Sequence, residues 1–67
     1  MIYHSSVNGK LVIKKLEEKG WKILRSQGSH YRLGKGQSRT TVPVHANKDL
    51  GKGLIAAIER QTGVKLT

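Results

Sequence analysis

Few side chains in this chain could do chemistry. The histidines are His4, His30 and His45, the carboxylates are Glu17, Glu18, Asp49 and Glu59, and there is no cysteine. Two-metal phosphodiester cleavage needs clustered carboxylates. Glu17 and Glu18 are neighbours, and on a helix they point about 100° apart, so they do not form a pair. The three histidines have no recognisable zinc-ligand spacing. Ser29 and His30 are adjacent, and on a strand they point to opposite faces, which makes Ser29 a poor nucleophile for His30. Metal-free cleavage of RNA is the chemistry that remains. RNA brings its own nucleophile, the 2′-hydroxyl, so a protein need supply only a base, an acid and cations around the phosphorus. An imidazole ordinarily changes charge near pH 6.5, so His30 suits either proton transfer, and both roles stay open. Arg25, Arg32 and Arg39 are cations suited to stabilising the transition-state charge.

The elements that must position His30 are legible in the spacing. Asn8 is a helix N-cap, and Leu11, Val12 and Leu16 recur at helical spacing. Gly20 takes the left-handed position after the helix, pairing Leu16 with Trp21 across a Schellman motif, so the first helix runs from about Asn8 to Lys19. Trp21 is read as a lid on the core. The period then changes to two. Trp21, Ile23 and Arg25 alternate with Lys22, Leu24 and Ser26, and Gln27-Gly28 marks a tight turn in which Gly28 supplies a positive φ. The second strand places His30 and Arg32 on one face, Tyr31 and Leu33 on the other. Gly34 to Ser38 reads as a flexible loop. The third strand divides Thr40, Val42 and Val44 from Arg39, Thr41 and Pro43, with Pro43 at a strand end or edge. Leu50 precedes the N-cap Gly51 and staples to Ile55 in a second helix that ends at Gly63, with Val64 covering it.

The predicted fold is therefore α+β, ordered α-β-β-β-α, with a three-stranded antiparallel sheet carrying two helices on one face. Double-stranded-RNA-binding domains share this order. If Ile23, Tyr31, Leu33, Val42 and Val44 face the helices, the open face carries Lys22, His30, Arg32, Arg39 and Thr41. Leu24 also falls there, as a partner contact or a local bulge. Lys48 and Lys52 flank the start of the second helix, where free N–H groups suit a phosphate.

The chain has 67 residues, 13 of them Lys or Arg against 4 Asp or Glu, for a net charge of +9. That points to a polyanionic partner, nucleic acid or an acidic protein. No stretch is long and apolar enough for a membrane helix. The lack of cysteine fits a reducing cytoplasm. Residues 8–67 form one domain, and residues 1–7 are read as a disordered or artificial lead, too short and polar for a signal peptide. No cofactor or metal is implied. Two other readings of the charge stand beside an enzyme: a non-catalytic RNA-binding module, and an interaction protein for an acidic partner.

Several segments, in order, carry a family resemblance: Leu16-Glu17-Glu18-Lys19-Gly20-Trp21, Gly28-Ser29-His30, Thr41-Val42-Pro43-Val44-His45, Lys48-Asp49-Leu50-Gly51-Lys52-Gly53 and Ile58-Glu59-Arg60-Gln61-Thr62-Gly63-Val64. Over about residues 8–64 the chain resembles the HicA toxins, small mRNA interferases of HicA–HicB toxin–antitoxin pairs. The resemblance implies the same double-stranded-RNA-binding-like fold and ribosome-independent cleavage of mRNA. It implies an essential histidine at His30, and Gly28 as the turn residue that places it, with Ser29 between. The implied partner is a HicB-like antitoxin that covers the active face and represses the operon. Gly51 departs from the pattern, since relatives often carry proline there. His45 matches its segment and is assigned a structural or phosphate-contacting role.

Overall fold

In the computed structural model, residues 7–46 and 48–67 are described. Helix α1 spans Gly9–Glu18, strands β1, β2 and β3 span Lys22–Gln27, His30–Lys35 and Ser38–Pro43, and helix α2 spans Lys52–Thr62. The three strands form one antiparallel sheet in the order β1-β2-β3. The α-β-β-β-α layout expected from the spacing is the layout observed.

Local chemistry sets the ends of α1. The Asn8 side chain accepts a hydrogen bond from the Leu11 N–H at 2.9 Å, filling one of the donors that a helix start leaves unpaired. At the other end Gly20 has φ +96°, and the N–H groups of Gly20 and Trp21 donate to the carbonyls of Glu17 (3.1 Å) and Leu16 (3.0 Å). This is the expected Schellman motif, and it drops Trp21 into the core at 3% exposure. The Lys35 ammonium covers the same helix end by donating to the Lys19 carbonyl at 2.7 Å. Helix α2 starts from Gly51, which offers no side-chain cap, and ends at Gly63 in the left-handed conformation.

Val12, Ile13 and Leu16 of α1 meet Leu33 and Val42 of the sheet and Ile55 and Ile58 of α2 in one core, closed by Trp21, Val64 and Leu66. Tyr31, Val44 and Leu50 pack against its margin. Among the described residues Thr40 is the buried polar one; its hydroxyl donates to the Gln61 side-chain oxygen at 2.8 Å, so burial leaves it paired. Ile23 lies on the helix side as expected, but at the sheet edge it stays 42% exposed. Val7, expected in the lead, is buried instead, and its carbonyl accepts the Leu50 N–H at 2.8 Å. Packing therefore includes Val7, outside the domain bounds that the periodicity suggested. The rest of the lead, His4 included, lies outside the described residues.

Two expectations for the sheet are corrected. Gly34 to Ser38 is not a loop. Strands β2 and β3 continue to Lys35 and Ser38, which pair, leaving a two-residue turn with Gly36 at φ +58°. Gly34 is buried within β2 because Leu24 and Arg39 cross above it; a Cβ there would lie 2.8 Å from Leu24 Cδ1 and 2.9 Å from Arg39 Nη1. The second correction concerns β1. Ile23 pairs with Leu33, but Arg25 pairs with Arg32, so Leu24 is an extra residue in a β-bulge. Strict alternation would put Arg25 on the helix side with Ile23. The bulge turns it to the open face.

Candidate functional site

The β1–β2 turn is the foundation of the site. Gln27 and His30 pair directly, so only Gly28 and Ser29 make the turn. Gly28 has φ +60° while Ser29 does not have a positive φ, the sign pattern of a type II′ turn with glycine first. Only glycine enters that position without strain, and the short turn fixes the register that follows.

Because directly paired residues share a face, the register writes out the open face row by row. Gln27, His30 and Pro43 form one row, and Arg25, Arg32 and Thr41 form the next. Lys22, Gly34 and Arg39 make the third. Arg25, Gln27, His30, Arg32 and Thr41 together line a concavity of about 200 Å³. His30 is exposed at its wall, and Thr41 is half-buried. The Arg32 guanidinium donates to the Thr41 hydroxyl at 3.1 Å, which steadies it across the strand pair. Arg25 and Arg32 stand directly opposite one another. Like charges so placed repel in the free protein, and an anion seated between them relieves that repulsion.

Of the residues expected to form the site, His30, Arg25 and Arg32 come together. Gly28 and Ser29 make the turn that holds them. Arg39 is on the same face but is turned back over the β2–β3 turn, donating to the carbonyls of Gly36 (2.9 Å) and Ser38 (2.7 Å). It lines a neighbouring hollow along the edge of β3, opposite Leu54 and Gln61 of α2, and this hollow shares Arg32 and Thr41 with the concavity. Lys22 sits at the far end of β1. Lys48 and Lys52 are exposed beside the start of α2, and neither lines the concavity. Among the described residues, no three His, Asp or Glu side chains gather where they could share a metal ion.

Gln27 and Thr41 belong to the concavity but were given no role by the sequence. The signal for Gln27 was available, since a two-residue turn at Gly28-Ser29 makes it the cross-strand partner of His30. The other unforeseen neighbour is His45. Its ring lies edge-on to that of His30, with centroids 6.5 Å apart and an interplanar angle of 83°. The pairing of His30 with Pro43 brings His45 there, two residues further along on the same face. The Val44 N–H continues the ladder by donating to the Ser29 carbonyl at 2.6 Å.

Comparison with protein families finds a match over residues 9–64 to the model described as HicA toxin of bacterial toxin–antitoxin. No curated protein and no solved structure matches the chain.

Proposed function

The chain belongs to the HicA toxin family of bacterial toxin–antitoxin systems, and on that premise we propose that it is a metal-independent endoribonuclease that cleaves mRNA with His30 as the catalytic histidine. The observation that carries this reading is the concavity itself, where one exposed imidazole shares a wall with two arginines aligned across a strand pair. In the proposed reaction the 2′-hydroxyl oxygen attacks the adjacent phosphorus while an imidazole nitrogen takes its proton. The bond from phosphorus to the 5′-oxygen breaks, leaving a 2′,3′-cyclic phosphate on one fragment and a 5′-hydroxyl on the other. Arg25 and Arg32 hold the non-bridging oxygens, where negative charge grows in the transition state. Lys22, Arg39, Lys48 and Lys52 serve the strand on either side of the scissile phosphate. A HicB-like antitoxin inhibits the toxin by covering the open face, where its acidic groups would replace the phosphates.

The test is cleavage of an RNA oligonucleotide and of the DNA of the same sequence, each with and without EDTA. The expected result is RNA cleavage alone, undiminished by EDTA and ending in a cyclic phosphate. Substituting His30→Ala is expected to slow it by about 10²–10⁴-fold, the usual worth of a positioned acid or base. Loss of activity in EDTA would remove the metal-free mechanism, and an active His30→Ala protein would remove His30. Binding without cleavage by the wild type would leave an RNA-binding module.

A further inference from the structure

Acid–base cleavage of RNA involves two proton transfers, and the concavity contains one histidine. We infer that His45 is the second catalytic group, donating the proton to the leaving 5′-oxygen while His30 takes the proton from the 2′-hydroxyl. This rests on the ribonuclease reading above and adds a residue and a direction to it.

Distance is the first argument. Two rings with centroids 6.5 Å apart can each place a nitrogen within about 2.6–3.2 Å of an oxygen on opposite sides of one phosphorus. Position gives the direction. His30 lines the concavity with Arg25 and Arg32, whereas His45 is exposed, stands beside His30 and is not part of the lining. The nucleotide that carries the attacking hydroxyl fills the concavity against His30, and the departing nucleotide leaves past His45.

The backbone around His45 is also held more firmly than the end of a strand requires. Val44 is tied to Ser29, and the His45 carbonyl accepts the Lys48 N–H at 2.9 Å. Ala46 has φ +53°, the single non-glycine positive φ among the described residues. Such a conformation is strained for a residue with a Cβ and persists only where the surroundings impose it. Here it turns the chain directly after His45, two residues past the end of β3 at Pro43.

The proton count balances. The neutral His30 imidazole becomes imidazolium by taking the 2′-hydroxyl proton, and the new bond joins the 2′-oxygen to phosphorus. The bond to the 5′-oxygen breaks with its electron pair on oxygen, and the His45 imidazolium gives that oxygen its proton. No oxidant, reductant or metal enters.

The experiment compares His45→Ala with wild type and His30→Ala on two RNA oligonucleotides. One is all-oxygen. The other carries sulfur in place of the bridging 5′-oxygen at the cleaved position, and a thiolate leaves without being protonated. His45→Ala is expected to lose about 10²–10⁴-fold in kcat on the all-oxygen RNA with KM little changed, and to regain most of that loss on the sulfur substrate. His30→Ala is expected to stay slow on both. A His45→Ala protein that cleaves all-oxygen RNA at the wild-type rate overturns the inference, as does a loss of equal size on both substrates. Rescue of His30→Ala instead would reverse the two roles and overturn the direction stated. His45→Gln, with its thermal unfolding followed in parallel, separates lost chemistry from lost fold: a folded but slow variant supports the inference. Wild type that cuts neither RNA would instead defeat the underlying ribonuclease reading.

Discussion

Removing Arg25 tests the bulge and the site together. Strict alternation turns its side chain away from the open face, whereas the extra residue at Leu24 aims it into the concavity beside Arg32. A cation that neutralises one phosphate of a single strand contributes about 0.7 to the slope of log K against log salt. Between 50 and 200 mM salt, each such contact therefore accounts for a factor of about 2.6 in lost affinity, and two contacts for about 7. Arg25→Gln and Arg32→Gln should each lower the slope by about 0.7, and the double substitution by about 1.4. Arg39→Gln should change it by less than half as much, because Arg39 already donates to the carbonyls of Gly36 and Ser38 and lines a different hollow. The assay is fluorescence anisotropy with an RNA whose 2′-positions are all methylated, so that binding is read without cleavage. If Arg25→Gln left the slope unchanged while Arg39→Gln lowered it, the phosphate path would run along the β2–β3 turn, and the role given to the bulge would be wrong.

Three further outcomes follow from the packing. Gly9→Ala should destabilise the fold by about 1–3 kcal/mol in urea unfolding, because a Cβ there runs into the Pro43 carbonyl and the Val44 side chain. Unchanged stability would mean that α1 can slide away from β3. Leu33→Ala, at a fully buried position, should cost about 2–5 kcal/mol. In a domain this small such a loss is most of the total, so circular dichroism should show a large unfolded fraction at room temperature. Thr40→Val keeps shape but loses the hydrogen bond to Gln61, and should cost about 0.5–1.5 kcal/mol by the same unfolding measurement.

The sequence exposed what is determined locally. The cap at Asn8, the left-handed Gly20 and the Leu16–Trp21 closure of α1 depend on residues within one turn of each other, and all three were readable. So was the side of β2 on which His30 lies, since the pleat alternates regardless of what faces it. Features set by crossing chains were hidden. Gly34 looked like a loop residue because glycine is depleted in strands, but it is there to let Leu24 and Arg39 pass overhead. The bulge was one of two readings of Leu24, but alternation alone does not choose between them; the pairings of Ile23 and Arg25 identify the extra residue and turn Arg25 to the open face. The nearness of His45 to His30 depends on β2–β3 register, which follows from a turn of two residues where five were expected.

The division of labour between the two sheet faces explains how so short a chain holds both a core and a charged site. Leu33, Val42 and Thr40 face the helices and form the core with them, so the opposite face has no packing duty. It can carry aligned arginines, whose repulsion would be intolerable in an interior, at little cost to the fold. The two faces are nevertheless mechanically joined. Gly9 at the start of α1 lies against Pro43 and Val44, the residues that lead to His45, and the Val44 N–H is bonded to Ser29 in the turn before His30. The helix therefore sets the position of the segment that carries one histidine against the turn that carries the other. A side chain forced in at Gly9 would touch no group in the concavity, yet it would displace His45 relative to His30 and slow cleavage by more than the lost stability explains.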